Sequence, residues 1–108
     1  MADTAALRHY CCCNCGNLLS RHDDLVAKDY LSYKGRAFLF SHVINVTHGG
    51  KVERQLVTGF YTVVDVYCSD CGKVLGWKYI NAHRDSQKHK EGKTVLEKFM
   101  LSDPELNW

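Results

Sequence analysis

Two copies of one short motif, 52 residues apart, constrain this chain more than anything else in it. Cys12-Cys13-Asn14-Cys15-Gly16 and Cys68-Ser69-Asp70-Cys71-Gly72 both read Cys-x-x-Cys-Gly. A two-residue gap lets both sulfurs of one turn reach a single ion, while amides of the same turn donate hydrogen bonds to the thiolates. The glycine just past the second cysteine relieves the tight backbone. Two such halves predict one four-thiolate site, Cys12, Cys15, Cys68 and Cys71, holding one structural Zn2+ per chain. The four thiolates leave the site formally anionic, a charge that amide donors and Lys73 offset. A closed tetrahedral shell has no position for water or substrate, which argues against Lewis-acid chemistry. Cys11 and Cys13 flank the first pair and remain alternatives to it. Cys12 is favoured because it matches the second motif, which leaves Cys11 as a packed thiol and Cys13 as a solvent-facing one.

The surrounding sequence supports metal over disulfides. The opening MADTAALRHY has no basic residues ahead of a long apolar run, and no apolar stretch reaches the 18 residues of a membrane span. The expected location is nucleus, cytoplasm or both, where thiols stay reduced and cysteine pairs bind metals. No membrane contact is expected. At 108 residues the chain is one domain with a modest core that gains from a staple. Its 45% hydrophobic and 24% charged residues exclude a disordered chain. The formal charge of +2 is too mild for a phosphate-binding surface. The densest basic run, Lys78, Arg84, Lys88, Lys90 and Lys93, is broken by Asp85 and Glu91 and has no stacking aromatics of its own. Nucleic-acid binding is therefore the weaker reading.

Strand signals dominate the body of the chain. Phe38 to Val46 is rich in β-branched and aromatic residues and predicts a strand, ended by a turn over Thr47, His48, Gly49 and Gly50. Val52–Val57 and Tyr61–Tyr67 predict a hairpin around Thr58 and Gly59, and Val74–Ile80 and Thr94–Leu101 predict two further strands. His83–Lys93 reads as an ordered loop, Asp23–Leu31 as a strand, and the Pro104 segment as a polar turn. His42 is expected inside its strand as a hydrogen-bonded interior residue. None of His9, His22, His42, His48, His83 and His89 forms a paired ligand motif. With no nucleophile elbow, phosphate-binding loop or paired carboxylates either, no catalytic residue is assigned.

The motif interval, with GRAFLF at Gly35–Phe40, VINV at Val43–Val46, LVTG at Leu56–Gly59, GWKY at Gly76–Tyr79 and SQKHKEGK at Ser86–Lys93, resembles the Yippee-like family. The resemblance covers about Tyr10 to Leu101, giving tails at 1–9 and 102–108. It implies a mainly β fold, the β-tent, of two antiparallel sheets pinned by the four-cysteine zinc site and shared with the cereblon ligand-binding module and methionine sulfoxide reductase B. In the cereblon module an aromatic cage holds a cyclic imide. GWKY looks like the part of that cage supplying Trp77 and Tyr79, with Val57 and Val63 near the positions of its other tryptophans. The implied function is a non-enzymatic module that presents a groove of Phe60, Tyr61, Trp77 and Tyr79 to a protein or peptide. Association with ubiquitin-ligase subunits in growth or cell-cycle control is a further implication. The competing readings are a thiol reductase using Cys11 or Cys13 and a nucleic-acid-binding zinc domain. The reductases need a nucleophilic cysteine in the C-terminal strands, and none follows Cys71.

Overall fold

Residues 8–32 and 34–102 are described in the computed structural model of the protein. Pro104 and most of both expected tails lie outside that range. His9 and Ser102, placed in the tails by the sequence, are strand residues.

The nine strands among the described residues are β1 (His9–Cys12), β2 (Leu18–Arg21), β3 (Leu25–Ser32), β4 (Gly35–Phe40), β5 (Val46–Leu56), β6 (Gly59–Cys68), β7 (Val74–Ala82), β8 (Thr94–Glu97) and β9 (Leu101–Ser102). They form a three-stranded sheet, β2-β1-β9, and a six-stranded sheet, β3-β4-β8-β7-β6-β5. Every pairing is antiparallel. This is the expected mainly β architecture of two antiparallel sheets.

The apolar runs without polar alternation become strands covered on both faces. In β4, Phe38 and Phe40 join a core with Tyr10, Leu19, Val66, Leu75, Leu96 and Leu101, which fills the space between the sheets. Ala37 and Leu39 point the other way, into a second core with Tyr61, Val63, Tyr79 and Val95. Tyr10, fully buried, sets its ring edge-on to Phe38 and Phe40 at 6.1 and 5.1 Å. Such pairs contribute about 0.5–1.5 kcal/mol each beyond area burial.

Three expectations change. The strand from Phe38 stops at Phe40: Ser41 N–H turns to Asp24 O and Ile44 N–H to Leu19 O, and further on Asn45, with a left-handed backbone (φ 60), donates its Nδ2 to the Leu18 carbonyl at 2.7 Å. The chain crosses there toward the smaller sheet, and Val43 and Val46 pack on the first core from outside any β4 ladder. His42 is consequently exposed; its carbonyl, not its ring, is engaged, accepting from Ser20 Oγ at 2.7 Å. Thr47–Gly50 is not a turn. It runs inside β5, whose register slips between His48 and Lys51, so the glycine pair is absorbed as a bulge. The strand expected over Thr94–Leu101 is divided by a 3-10 turn at Lys98–Met100, which lets β9 leave the large sheet and pair with β1.

Gly76 explains the glycine of GWKY. It pairs with Leu96 where β7 meets β8, and a Cβ there would stand 1.9 Å from the Val95 carbonyl oxygen. That oxygen belongs to backbone and cannot move without breaking the ladder. Gly76→Ala is expected to destabilise the fold by about 3 kcal/mol or more, which a thermal or urea melt against wild type would measure.

Candidate metal centre

The two motifs occupy equivalent turns on different sheets. The first joins β1 to β2 and the second joins β6 to β7. Each is closed in the same way: Gly16 N–H donates to Cys12 O at 2.8 Å, and Gly72 N–H to Cys68 O at 2.9 Å. Cys12 N–H reaches Asn17 O, and Cys68 N–H reaches Lys73 O. Both glycines have positive φ, 82° and 76°, which a side chain rarely adopts.

These turns bring four sulfurs together. The Sγ atoms of Cys12, Cys15, Cys68 and Cys71 all lie within 4.8 Å of one another, with Cys12 to Cys71 at 3.7 Å and Cys15 to Cys68 at 3.5 Å. Tetrahedral zinc with bonds of about 2.3 Å requires sulfurs about 3.8 Å apart, so the set fits that ion. Among the described residues it is the one group of three or more potential ligands gathered at a point. Cys11 is half-buried on β1, and Cys13 is exposed, its thiol donating to Phe99 O at 3.3 Å. Neither belongs to the cluster, and no histidine does.

The electrostatics are those of a site prepared for a cation. Burial opposes a Cys68 thiolate, but the Cys71 and Asp70 amides and the Asn17 carboxamide outweigh it and bring the thiol down to about 6. Cys71 is lowered by the Lys73 amide and the Asn14 side chain. Burial raises Cys12. For Cys15 the Asn17 amide favours the thiolate, yet burial and the three neighbouring sulfurs push it up to about 12. A divalent ion would reverse that mutual repulsion and ionise all four.

Asn17 is the site residue that sequence reasoning missed. Its Nδ2 donates to Cys68 Sγ at 3.3 Å, to Asn45 O at 3.0 Å and to Ser69 Oγ at 3.4 Å, tying one motif to the other. Its position two residues past Cys15 is the only sequence signal it gives. Lys73, expected to offset charge, contributes through its backbone: its amide bonds to Cys71, and its carbonyl accepts from Cys68 N–H.

The expected aromatic groove is only partly assembled. Tyr61, Trp77 and Tyr79 share the second core, with Tyr61 and Tyr79 rings 4.8 Å apart and Trp77 edge-on to Tyr79 at 6.4 Å. Tyr61 and Tyr79 are buried at 0% and 2% exposure, so they form a floor rather than an open wall. Burial pushes the Tyr79 phenol up to about 12. Trp77 is half-buried, and its indole N–H favours the Tyr79 phenolate, though no bond of full hydrogen-bond geometry joins the two. Phe60 does not join them. Strand alternation turns it away from Tyr61, and it lies half-exposed against the His83 ring. Val57 is fully exposed and Val63 fully buried.

Paired Cys-x-x-Cys turns that clasp two antiparallel sheets define a zinc-binding β domain. The model of the Yippee zinc-binding/DNA-binding/Mis18, centromere assembly family matches residues 9–106. Over 98 residues the chain is 50% identical to a yippee-like protein of Arabidopsis thaliana, covering 91% of this chain and 92% of that one. It is 47% identical over 90 residues to yippee-like 3 of Homo sapiens, covering 83% and 76%. The chain belongs to the Yippee family. The crystal structure of the Mis18 Yippee-like domain superposes with a TM-score of 0.70 over 87% of this chain and 91% of that one, at 15% identity, a likeness of fold.

Because ligand thiols must lose protons to bind metal, affinity should fall as pH falls. Cys68→Ser should unfold the domain, whereas Cys11→Ser and Cys13→Ser should leave the melt nearly unchanged. Asn17→Ala should weaken metal affinity by about 10- to 100-fold, as removal of an outer-shell donor does, measured by competition with a chromophoric chelator.

Proposed function

We propose that this chain is a non-enzymatic interaction module, held in shape by one zinc ion, that docks a protein or peptide on the face around Trp77. The observation that carries this reading is Trp77 itself: half-buried on a central strand and edge-on to the buried Tyr79 ring, it leaves part of a rigid aromatic surface open to solvent. Tryptophan is also among the side chains most enriched at binding hot spots. By the family resemblance, the partner is a ubiquitin-ligase subunit and the location is nucleus or cytoplasm.

Two structural facts weigh against the other readings. The basic segment is not a free phosphate-binding stripe: Lys90 is buried, Lys88 pairs with Glu91 at 3.3 Å, and Lys93 donates to the His89 carbonyl. The four clustered cysteines match a four-thiolate ligand set, and Cys11 and Cys13 lie outside it, on a strand and in a turn.

Elemental analysis should give one zinc per chain. Affinity purification with wild type beside Trp77→Ala should recover a protein partner that the variant loses by about 2 kcal/mol or more of binding with an unchanged melt. A melt lowered by about 3–5 kcal/mol would instead make Trp77 a core residue. Methionine sulfoxide reductase turnover should be absent, and turnover abolished by Cys13→Ser would overturn the non-enzymatic reading.

A further inference from the structure

Lysine is almost never buried without a charged partner, yet Lys90 is only 6% exposed. No carboxylate pairs with it among the described residues. Its Nζ donates to Thr58 Oγ1 at 3.1 Å and to the Tyr61 hydroxyl at 3.2 Å. The same atom stands 5.1 Å from the Tyr30 ring centroid, 5.3 Å from that of Tyr61 and 5.6 Å from that of Tyr79. Three aromatic rings within about 6 Å, whose negative faces attract positive charge, together with two neutral hydroxyls, are surroundings that select an ammonium group.

The walls and the occupant come from different parts of the fold. Tyr30, Tyr61 and Tyr79 stand on β3, β6 and β7, whereas Lys90 ends the 3-10 turn Asp85–Lys90 in the segment that joins β7 to β8. That segment is returned to the sheet by Gly92 N–H donating to Tyr79 O and by Ala82 N–H donating to the Glu91 carboxylate at 2.8 Å. Of its basic residues, only Lys90 is turned inward and buried.

We propose that the Tyr30, Tyr61 and Tyr79 box is an alkylammonium-binding site that the chain keeps filled with its own Lys90. An external group of the same class, a lysine or N-methylated lysine side chain or a free alkylamine, occupies it when residues 85–93 withdraw Lys90. An N-methylated ammonium is less strongly hydrated than a primary one, so it leaves water at lower cost and keeps the contacts to the rings. The proposal deepens the docking reading above by naming the ligand chemistry beside Trp77, and it rests on that reading for its biological use. Its test needs only the purified zinc-loaded chain, so the two can fail separately.

The probes are choline and its neutral isostere 3,3-dimethylbutan-1-ol, titrated into Lys90→Ala and wild type and read by thermal shift. Lys90→Ala is expected to melt below wild type and to be restored saturably by choline but not by the alcohol. Wild type should bind choline at least about tenfold more weakly, because its site is filled. Adding Tyr30→Leu to Lys90→Ala should weaken choline binding about tenfold by removing one ring. A folded Lys90→Ala that binds neither probe, or both alike, overturns the proposal. If Lys90→Ala does not fold, Lys90→Met decides: it keeps an apolar stem and removes the charge. A lower melt than wild type supports a cation-selective box, and an equal or higher melt overturns it.

Discussion

The structure depends on one clasp, the convergence of four sulfurs from two turns that the chain separates by 52 residues. One turn joins two strands of the small sheet and the other joins two inner strands of the large one, so a bound ion would tie the two sheets together. Cys12 and Cys68 are themselves members of the core between the sheets, buried to 1%. Metal coordination and apolar packing are therefore parts of one cooperative unit. In a domain of this size the core alone leaves little margin, and binding free energy becomes folding free energy.

The large sheet is asymmetric in what covers it. One face is packed by the small sheet, through Tyr10, Leu19 and Leu101. Among the described residues no second sheet covers the other, which is closed chiefly by the tyrosines and by Lys90 delivered from the 3-10 turn at Asp85–Lys90. A long lysine serves where an apolar residue would be expected, because its stem fills space while its head finds rings and hydroxyls. The aromatic face that sequence reasoning assigned to a partner is thus partly occupied from within.

How much of this was legible varied with how local the physics was. The ligand set was readable because a two-residue gap followed by glycine has few uses other than a metal turn. The hairpin of β5 and β6 and the strand β7 were readable from β-branched runs. Strands β1 and β2 were not assigned, because their residues are short and flanked by the motif, and their pairing is fixed by the knuckle. His48-Gly49-Gly50 reads as a turn in isolation, but pairing with Val66 and Tyr67 carries it through as a bulge. The β4 run ends early because Ser41 and Ile44 bond to Asp24 and Leu19 in distant parts of the chain, which no local pattern announces. Asn17 and Lys90 were missed for the same reason: each matters through partners more than 25 positions away, Cys68 for one and Tyr61 for the other.

The pairing of β9 with β1 places Ser102 opposite Cys11 and Leu101 opposite Cys12. The first and last described strands are therefore adjacent and oppositely directed in the small sheet. His9 and Ser102 lie toward the end of this strand pair that is opposite the metal turn, which follows Cys12. A short peptide joining His9 to Ser102 would bridge neighbouring strands and leave the metal turn untouched. Opening the chain instead at the exposed β5–β6 hairpin, where Val57 is fully solvent-facing, would give a circular permutant. In it, the two cysteine turns would be separated by a different loop while their geometry stayed the same.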